Sequence, residues 1–168
     1  MYSSSLREKI QHGTLDFPAA YYYIDPSHPH YCMPIHWHKE WELIRIQKGS
    51  LILHADQQEI IGTVGDFFLI RDSMLHGFTP QTDCIYECLV FDLHGLFRGS
   101  ETFQKFLRPI YRLEFLPGIL YHKESQPELY ALTDALMQTH SSKHLYPDHA
   151  TPNYHELITV SEISLFFA

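Results

Sequence analysis

Two histidines and a glutamate with strand-like spacing form the part of the sequence best suited to chemistry. His36, His38 and Glu42 lie two and four residues apart in the block HWHKEWELIRIQKG, which begins at His36. Alternate residues of a β-strand share a face, so we expect these three side chains to point the same way and the two intervening tryptophans the other way. The block therefore predicts two imidazoles and a carboxylate on one surface.

A second block, GDFFLIRDSMLH from Gly65 to His76, would bring a third histidine from another strand. Three imidazoles and one carboxylate around an open position suit a divalent transition metal such as Zn, Ni, Mn or Fe. Without a metal, the same groups would form the hydrogen-bonding floor of a pocket. In both cases His36, His38, Glu42 and His76 are predicted to converge.

Short apolar or alternating segments separated by turn residues precede and follow these blocks, and this pattern is typical of a β-sandwich or barrel. A short helix is predicted from the Ser100 cap to about Leu107, ending before Pro109. We expect strands near residues 19–24, 36–47, 50–55, 57–61, 66–70, 75–79 and 84–92.

Beyond residue 124 the hydrophobic pattern becomes helical. A capping sequence at Ser125 predicts a helix over 126–139, and a second is predicted over 152–168. The second has no stop signal, so we expect the complete protein to continue beyond it. The apolar positions exceed what packing on the barrel needs, so we expect a two-fold dimer contact. The predicted dimer residues are Leu129, Leu132, Leu136, Leu157, Ile158 and Leu165.

Composition excludes several classes of function. The 168 residues carry a formal net charge of -8 and no run of basic residues, so we expect this chain to bind DNA poorly. No segment resembles a signal peptide or approaches the ~18 apolar residues of a membrane helix. Three cysteines without paired spacing argue against a disulfide framework. We expect one soluble, cytoplasmic domain with no membrane partner.

The first block satisfies the pattern H-x-H-x3-E-x6-G from His36 to Gly49 and resembles the first signature of the cupin superfamily. The second cupin signature, G-x5-P-x-G-x2-H, is met at Gly65 and His76, whereas Arg71 and Ser73 replace its proline and second glycine. The resemblance covers residues 17–92. It implies a mainly β cupin fold, a double-stranded β-helix or jelly-roll barrel.

The whole arrangement is similar to the effector-binding half of AraC-type transcription regulators: an N-terminal arm (1–16), a cupin barrel (17–124) and a helical hairpin (125–168). This resemblance implies a small-molecule effector, with a sugar as the family-weighted choice, and a homodimer. DNA would be bound only through a helix-turn-helix domain that this chain does not include.

The expected effector pocket has the His/Glu set as its floor. Phe78 shares a strand face with His76 and is a candidate for the wall. Tyr86 and Cys88 also share a face, which the family resemblance favours as the inward one. His28 and His30 fall in a loop containing proline, and we expect them to be solvated.

Two interpretations of different class remain at this point. In the first, the barrel senses an effector and has no catalytic residues. In the second, the chain is a stand-alone metal-dependent cupin enzyme, such as a dioxygenase or sugar isomerase. The incomplete second signature, the two added helices and the absent stop signal favour the sensor.

Overall fold

The computed structural model describes residues 4–55, 57–111, 119–145 and 154–167. A seven-stranded antiparallel arrangement is followed by helices that pack on one of its faces, which confirms the mainly β fold with C-terminal helices. The elements are a 3-10 turn (Ser4–Leu6), β1 (Ala19–Ile24), β2 (Met33–His36), β3 (Trp41–Ala55), β4 (Gln58–Thr63), β5 (Asp66–Ile70), β6 (His76–Phe91), α1 (Leu93–Leu96), α2 (Glu101–Tyr111), β7 (Leu120–His122), α3 (Pro127–Leu145) and α4 (Tyr154–Phe166).

Two long strands, β3 and β6, pair with each other along almost their whole length and form the centre of the barrel. The first half of β3 also pairs with β5, and its second half pairs with β4. On the other side, β6 pairs with β1 and with β2. The register shifts around Lys48, next to Gly49 with a φ of 74°, a backbone angle that favours glycine. The paired strands β3 and β6 therefore form part of both halves of the barrel.

Four predicted elements differ from the structure in their boundaries. The segments 50–55 and 84–92 belong to the continuous strands β3 and β6, because a bulge bends each strand without ending it. The predicted strand 36–47 is divided after His36, and β3 begins only at Trp41. Helix α2 continues through Pro109 to Tyr111, since proline near a helix end removes only one hydrogen bond and Leu107 is buried in the core.

The first of the two C-terminal helices begins near its predicted start. Helix α3 starts at Pro127 and its first hydrogen bond runs from Tyr130 N to Gln126 O, so the cap is one residue later than predicted. It extends past residue 139 to Leu145. The predicted start of the second helix at residue 152 lies outside the described residues. In the part of the chain that the structure describes, no helix is long and apolar enough to span a membrane.

Strand alternation divides the buried side chains into two clusters. Ile44 and Ile46 of β3 point into the barrel with Phe68 and Phe78. Leu43, the neighbour of Ile44, points to the other face, towards the helices. The outer cluster takes helix residues Leu107, Leu136, Met137 and Ile163, together with Trp41, Phe67, Leu89 and Phe91 of the sheet. The helices therefore cover the outside of the sheet and leave the barrel interior to the site.

A buried charge network joins this outer face of the sheet to α3. Arg45 Nη2 lies 2.6 Å from Glu87 Oε2, and the Tyr21 hydroxyl donates to Glu87 Oε1 at 2.5 Å. Arg45 also pairs with Asp134 of α3. Burial, and then the neighbouring Glu87 carboxylate, raise the pKa of Tyr21, so its hydroxyl remains a donor. The Arg45 guanidinium thus connects the fully buried Glu87 carboxylate to the partly exposed Asp134 carboxylate on α3.

Candidate functional site

A cavity of about 240 Å³ opens into the barrel interior. Six of the seven residues predicted to bind the effector line it: His36, His38, Glu42, Phe78, Tyr86 and Cys88. His76, the seventh, is fully buried, and its Nε2 lies 3.2 Å from Glu42 Oε2. The rest of the lining comes from Glu8, Ile10, His12, Tyr22, Ile24, His28, His30, Met33 and Val90.

The three histidines of the two sequence blocks form a compact triad. Candidate ligand atoms of His36, His38 and His76 all lie within 4.8 Å of one another. The His76 ring is centred 4.4 Å from that of His36 and 4.9 Å from that of His38. Although His36 ends β2 and His38 lies in the connection to β3, their alternation still brings both rings to the same point.

Backbone carbonyls fix the orientation of all three rings. The Nδ1 atoms of His36, His38 and His76 lie 2.9, 3.0 and 2.8 Å from the carbonyl oxygens of Pro34, Glu40 and Met74. A carbonyl oxygen can only accept a hydrogen bond, so each Nδ1 carries a proton and donates it. In the neutral imidazoles, each Nε2 therefore presents a lone pair. Such outer hydrogen bonds typically orient histidines that bind a metal.

Glu42 lies beside the Nε2 atoms of the triad. Its Oε2 is 3.2 Å from His76 Nε2 and 3.6 Å from His38 Nε2. Burial alone would raise the pKa of Glu42, but hydrogen bonds and positive charge from His38 and His76 outweigh it and hold the pKa well below its usual range. A carboxylate oxygen facing an imidazole lone pair requires a cation between them, either a proton or a metal ion.

The pKa values of His36 and His38 are shifted in opposite directions. Burial lowers the pKa of His38, but hydrogen bonding to Glu42 outweighs burial and leaves the pKa above its usual value. Burial and the neighbouring His76 lower the pKa of His36. Without a metal, His38 therefore retains a proton to higher pH, and a metal ion would have to expel it.

The donor set fits a divalent transition metal. Three imidazole nitrogens come together, and the Glu42 carboxylate lies beside two of them. This combination of donors suits Zn, Ni, Mn or Fe. Two ligands of one metal, each about 2.1 Å from it, lie ~3.0 to ~4.2 Å apart as the angle between them opens from 90° to 180°. The Glu42 distances of 3.2 and 3.6 Å fall within that range.

Two further residues of the site, Glu8 and His12, come from the N-terminal arm and were missed by the sequence analysis. Glu8 Oε2 lies 3.2 Å from His12 Nε2 and 3.7 Å from His36 Nε2. On its other side, His12 Nδ1 is 2.9 Å from the Tyr22 hydroxyl. The arm has no strand or helix periodicity, and its only signal was a glutamate and a histidine four residues apart.

The loop that carries His28 and His30 is largely exposed, as expected, with His30 exposed and His28 partly buried. Both histidines also line the cavity, which the sequence analysis did not predict. Their rings lie 5.9 Å apart, and His30 N donates to His28 Nδ1 at 3.1 Å. The Asp25 carboxylate accepts hydrogen bonds from the backbone and side chain of Ser27, which forms a tight turn at the start of this loop.

Three predicted pocket residues form the wall beside the triad. The Phe78 ring is centred 5.5 Å from His76 and 6.4 Å from Tyr86. The Tyr86 hydroxyl donates to Tyr31 O at 2.8 Å, which leaves its ring as the surface towards the cavity. Burial and the neighbouring Glu42 raise the pKa of Cys88 well above its usual value, so this residue is a thiol.

The six residues predicted to form a dimer contact differ in how exposed they are. Leu136 is 1% exposed in the chain's own core and has no surface to offer a partner, because helical spacing also fits packing on the barrel. Leu129 and Leu132 are partly buried. Leu157, Ile158 and Leu165 of α4 are 66%, 43% and 61% exposed.

A barrel with an inward His/Glu cluster and a helical cover on its outer face defines a cupin-like ligand-binding domain. The chain belongs to the AraC-like ligand binding domain family, whose model matches residues 17–146.

The chain is also similar to several individual proteins. The chain is 28% identical over 109 residues to an uncharacterized HTH-type transcriptional regulator, YdeC, of Bacillus subtilis (strain 168), covering 62% of this chain and 37% of that protein. Apo ToxT of Vibrio cholerae strain SCE256 matches 94% of this chain and 56% of its own, with 12% identity and a TM-score of 0.52. An RmlC-like cupin of Shewanella frigidimarina NCIMB 400 matches 51% and 70%, with 18% identity and a TM-score of 0.39.

Proposed function

We propose that this chain is the sensor domain of a transcription regulator that binds a small-molecule effector in its barrel cavity. The cavity carries the proposal, because it places apolar walls around one cluster of convergent polar groups. The family match supports a regulatory role, and the chain spans 37% of the length of the HTH-type relative. In the complete regulator, effector binding would control a helix-turn-helix domain on DNA, and the protein would act in the cytoplasm.

We further propose that His36, His38, His76 and Glu42 hold a divalent transition metal at the base of the cavity. A metal bound there supplies a Lewis-acidic position for an oxygen atom of the effector. The backbone carbonyls that orient the three rings and the Nε2-to-carboxylate distances support this proposal. Phe78 and Tyr86 would contact the apolar part of the effector beside it.

A sensor is favoured over a metal-dependent enzyme because the family and the HTH-type relative are both regulatory. The two functions differ in what happens to the ligand. A sensor returns its ligand unchanged, whereas a dioxygenase or isomerase converts it. Any ligand found by screening should therefore be recovered and analysed after prolonged incubation with the metal-loaded protein, and its conversion would support the enzyme.

Thermal-shift screening of sugars, polyols and aromatic acids, with and without Zn²⁺, tests the cavity. A ligand at 100 times its dissociation constant adds ~2.7 kcal/mol and should raise the Tm by about 5 to 11 °C. Met33→Trp places a larger side chain at the partly buried cavity wall and should abolish most of that shift. Ile61→Trp, at a position 61% exposed on β4, is the control and should retain it. An undiminished shift in Met33→Trp would move ligand binding out of the cavity.

We also propose that the exposed face of α4 binds a second copy of this chain. Thr159 and Ile163 on the opposite face of α4 are fully buried, so the helix already has its intramolecular partner. Leu157 and Leu165 are two turns apart and remain exposed beside Ile158. Two such faces related by a two-fold axis would cover each other, because each leucine can meet its symmetry mate.

Leu157→Glu is expected to convert the dimer to a monomer, because it places a charge in the centre of the apolar contact. Light scattering coupled to gel filtration measures the mass over a range of concentrations. Phe106→Glu is the matched control, since it adds the same charge at an apolar position 71% exposed on α2. If the unmodified chain is monomeric at every concentration, or if both variants dimerise equally, the α4 interface is wrong.

A further inference from the structure

The N-terminal arm places a carboxylate beside the triad, with Glu8 Oε2 3.7 Å from His36 Nε2. The Glu8 and His12 side chains are 8% and 5% exposed, so both are buried although the arm is outside the sheet. Glu8 and His12 also line both the barrel cavity and a second, outer groove of about 650 Å³. The arm therefore separates the barrel cavity from the outer groove.

Backbone contacts attach the arm directly to the segment that carries the triad. Glu8 N donates to Trp37 O at 2.9 Å, and Trp37 N donates to Leu6 O at 3.0 Å. The Arg7 guanidinium also lies over the Trp37 ring, 5.5 Å from its centroid. Trp37 stands between His36 and His38, so the position of Glu8 is tied to the two ligands beside it.

Hydrogen bonding leaves Glu8 Oε2 and His36 Nε2 facing each other as two acceptors. The Nδ1 proton of His36 is donated to Pro34 O, so the neutral ring presents a lone pair at Nε2. The Glu8 side chain is buried and its Oε2 also lies 3.2 Å from His12 Nε2. A cation between the Glu8 carboxylate and the His36 lone pair would satisfy both atoms.

The separation between Glu8 Oε2 and His36 Nε2 is compatible with two ligands of one metal. Glu8 Oε2 and His36 Nε2 are 3.7 Å apart. Ligand atoms about 2.1 Å from a shared metal lie ~3.0 to ~4.2 Å apart. The separations of Glu42 Oε2 from His76 Nε2 and His38 Nε2, 3.2 and 3.6 Å, lie in the same range.

We propose that Glu8 is a fifth, arm-borne ligand of the metal held by the triad and Glu42, so that metal binding fixes the N-terminal arm across the cavity. His12 is the positioning residue, because it holds Glu8 through Nε2 and is itself held by Tyr22. The inference rests on the proposed metal site. It adds to that site a ligand that neither sequence block contains.

Calorimetric titration with Zn²⁺ and hydrogen exchange of the arm amides test this ligand. Zn²⁺ should increase the protection of the Glu8 amide in the unmodified chain. Glu8→Gln should bind Zn²⁺ about 10-fold or more weakly, and its arm should show no zinc-dependent protection. Lys9→Gln, at an exposed neighbour in the same arm, is the control and should behave as the unmodified chain.

The outcomes separate the two proposals. If the unmodified chain binds Zn²⁺ and Glu8→Gln binds it equally well, or if arm protection does not respond to Zn²⁺, the arm-borne ligand is wrong and the triad site stands. If the unmodified chain binds none of Zn²⁺, Ni²⁺, Mn²⁺ and Fe²⁺, both proposals fail together. Circular dichroism of each metal-free variant establishes that it is folded before titration.

Discussion

His76→Ala is expected to lower the affinity of the chain for Zn²⁺ by more than about 100-fold. His76 is the most central member of the triad, with its ring 4.4 and 4.9 Å from the other two rings and its Nε2 3.2 Å from Glu42. Its loss would remove one of the proposed direct ligands, and changes in the groups that only orient ligands already cost 10- to 100-fold. Calorimetric titration near neutral pH measures the change.

Two further substitutions keep this result interpretable. His54→Ala removes a partly buried histidine that is bonded to Thr79 instead of the triad, and its zinc affinity should be unchanged. His36→Ala removes a ligand at the cavity surface without emptying a fully buried position, so the fold should survive while zinc binding is lost. Zinc binding by His76→Ala with unchanged affinity would refute the triad as the metal site.

Arg45→Met should destabilise the chain by about 3 to 5 kcal/mol, because it leaves the Glu87 carboxylate buried without its counter-charge. Glu87 is fully buried, and its remaining partner is the Tyr21 hydroxyl. For a chain of this length the corresponding fall in Tm is about 6 to 20 °C. Thermal unfolding followed by circular dichroism measures it.

An exposed ion pair provides the control for this comparison. Lys39, with a side chain 61% exposed, lies 3.4 Å from Asp92 Oδ2, and Lys39→Met should cost less than about 1 kcal/mol. Adding Glu87→Gln to Arg45→Met should recover part of the loss, because the amide carries no charge and still accepts from Tyr21. Equal effects of Arg45→Met and Lys39→Met would show that the buried pair is not a strong restraint on the fold.

The spacing of the His/Glu set predicted the convergence of the triad for a reason that did not depend on strand boundaries. His36 and His38 were assigned to one strand with Glu42, whereas the structure divides that segment between β2, a connection and β3. The bridge at Trp37 keeps His36 and His38 on one side, and Glu42 of β3 lies beside His38 after the bend at Lys39 and Glu40. His76 follows because β2 pairs with β6, with His36 opposite His76.

Residues brought to the site by tertiary contacts could not be predicted in the same way. Glu8 reaches the triad because the arm pairs with Trp37 through an isolated bridge, and no local periodicity encodes that contact. His28 and His30 line the cavity from the loop between β1 and β2. Similarly, the apolar spacing of α3 could not distinguish packing on the barrel from packing on a partner, and Leu136 packs on the barrel.

Because side chains alternate along β3, Glu42 and Arg45 lie on opposite sides of the same strand. Glu42 lies at the inner site, and Arg45, three residues or about 10 Å further along, holds Asp134 of α3. Binding equilibria that share such a strand obey thermodynamic reciprocity. If a ligand bound at Glu42 stabilises the packing of α3 by some free energy, the packing of α3 stabilises the bound ligand by the same amount. A substitution that weakens the contact of α3 at Asp134 would then weaken ligand binding inside the barrel, although no residue that touches the ligand has changed.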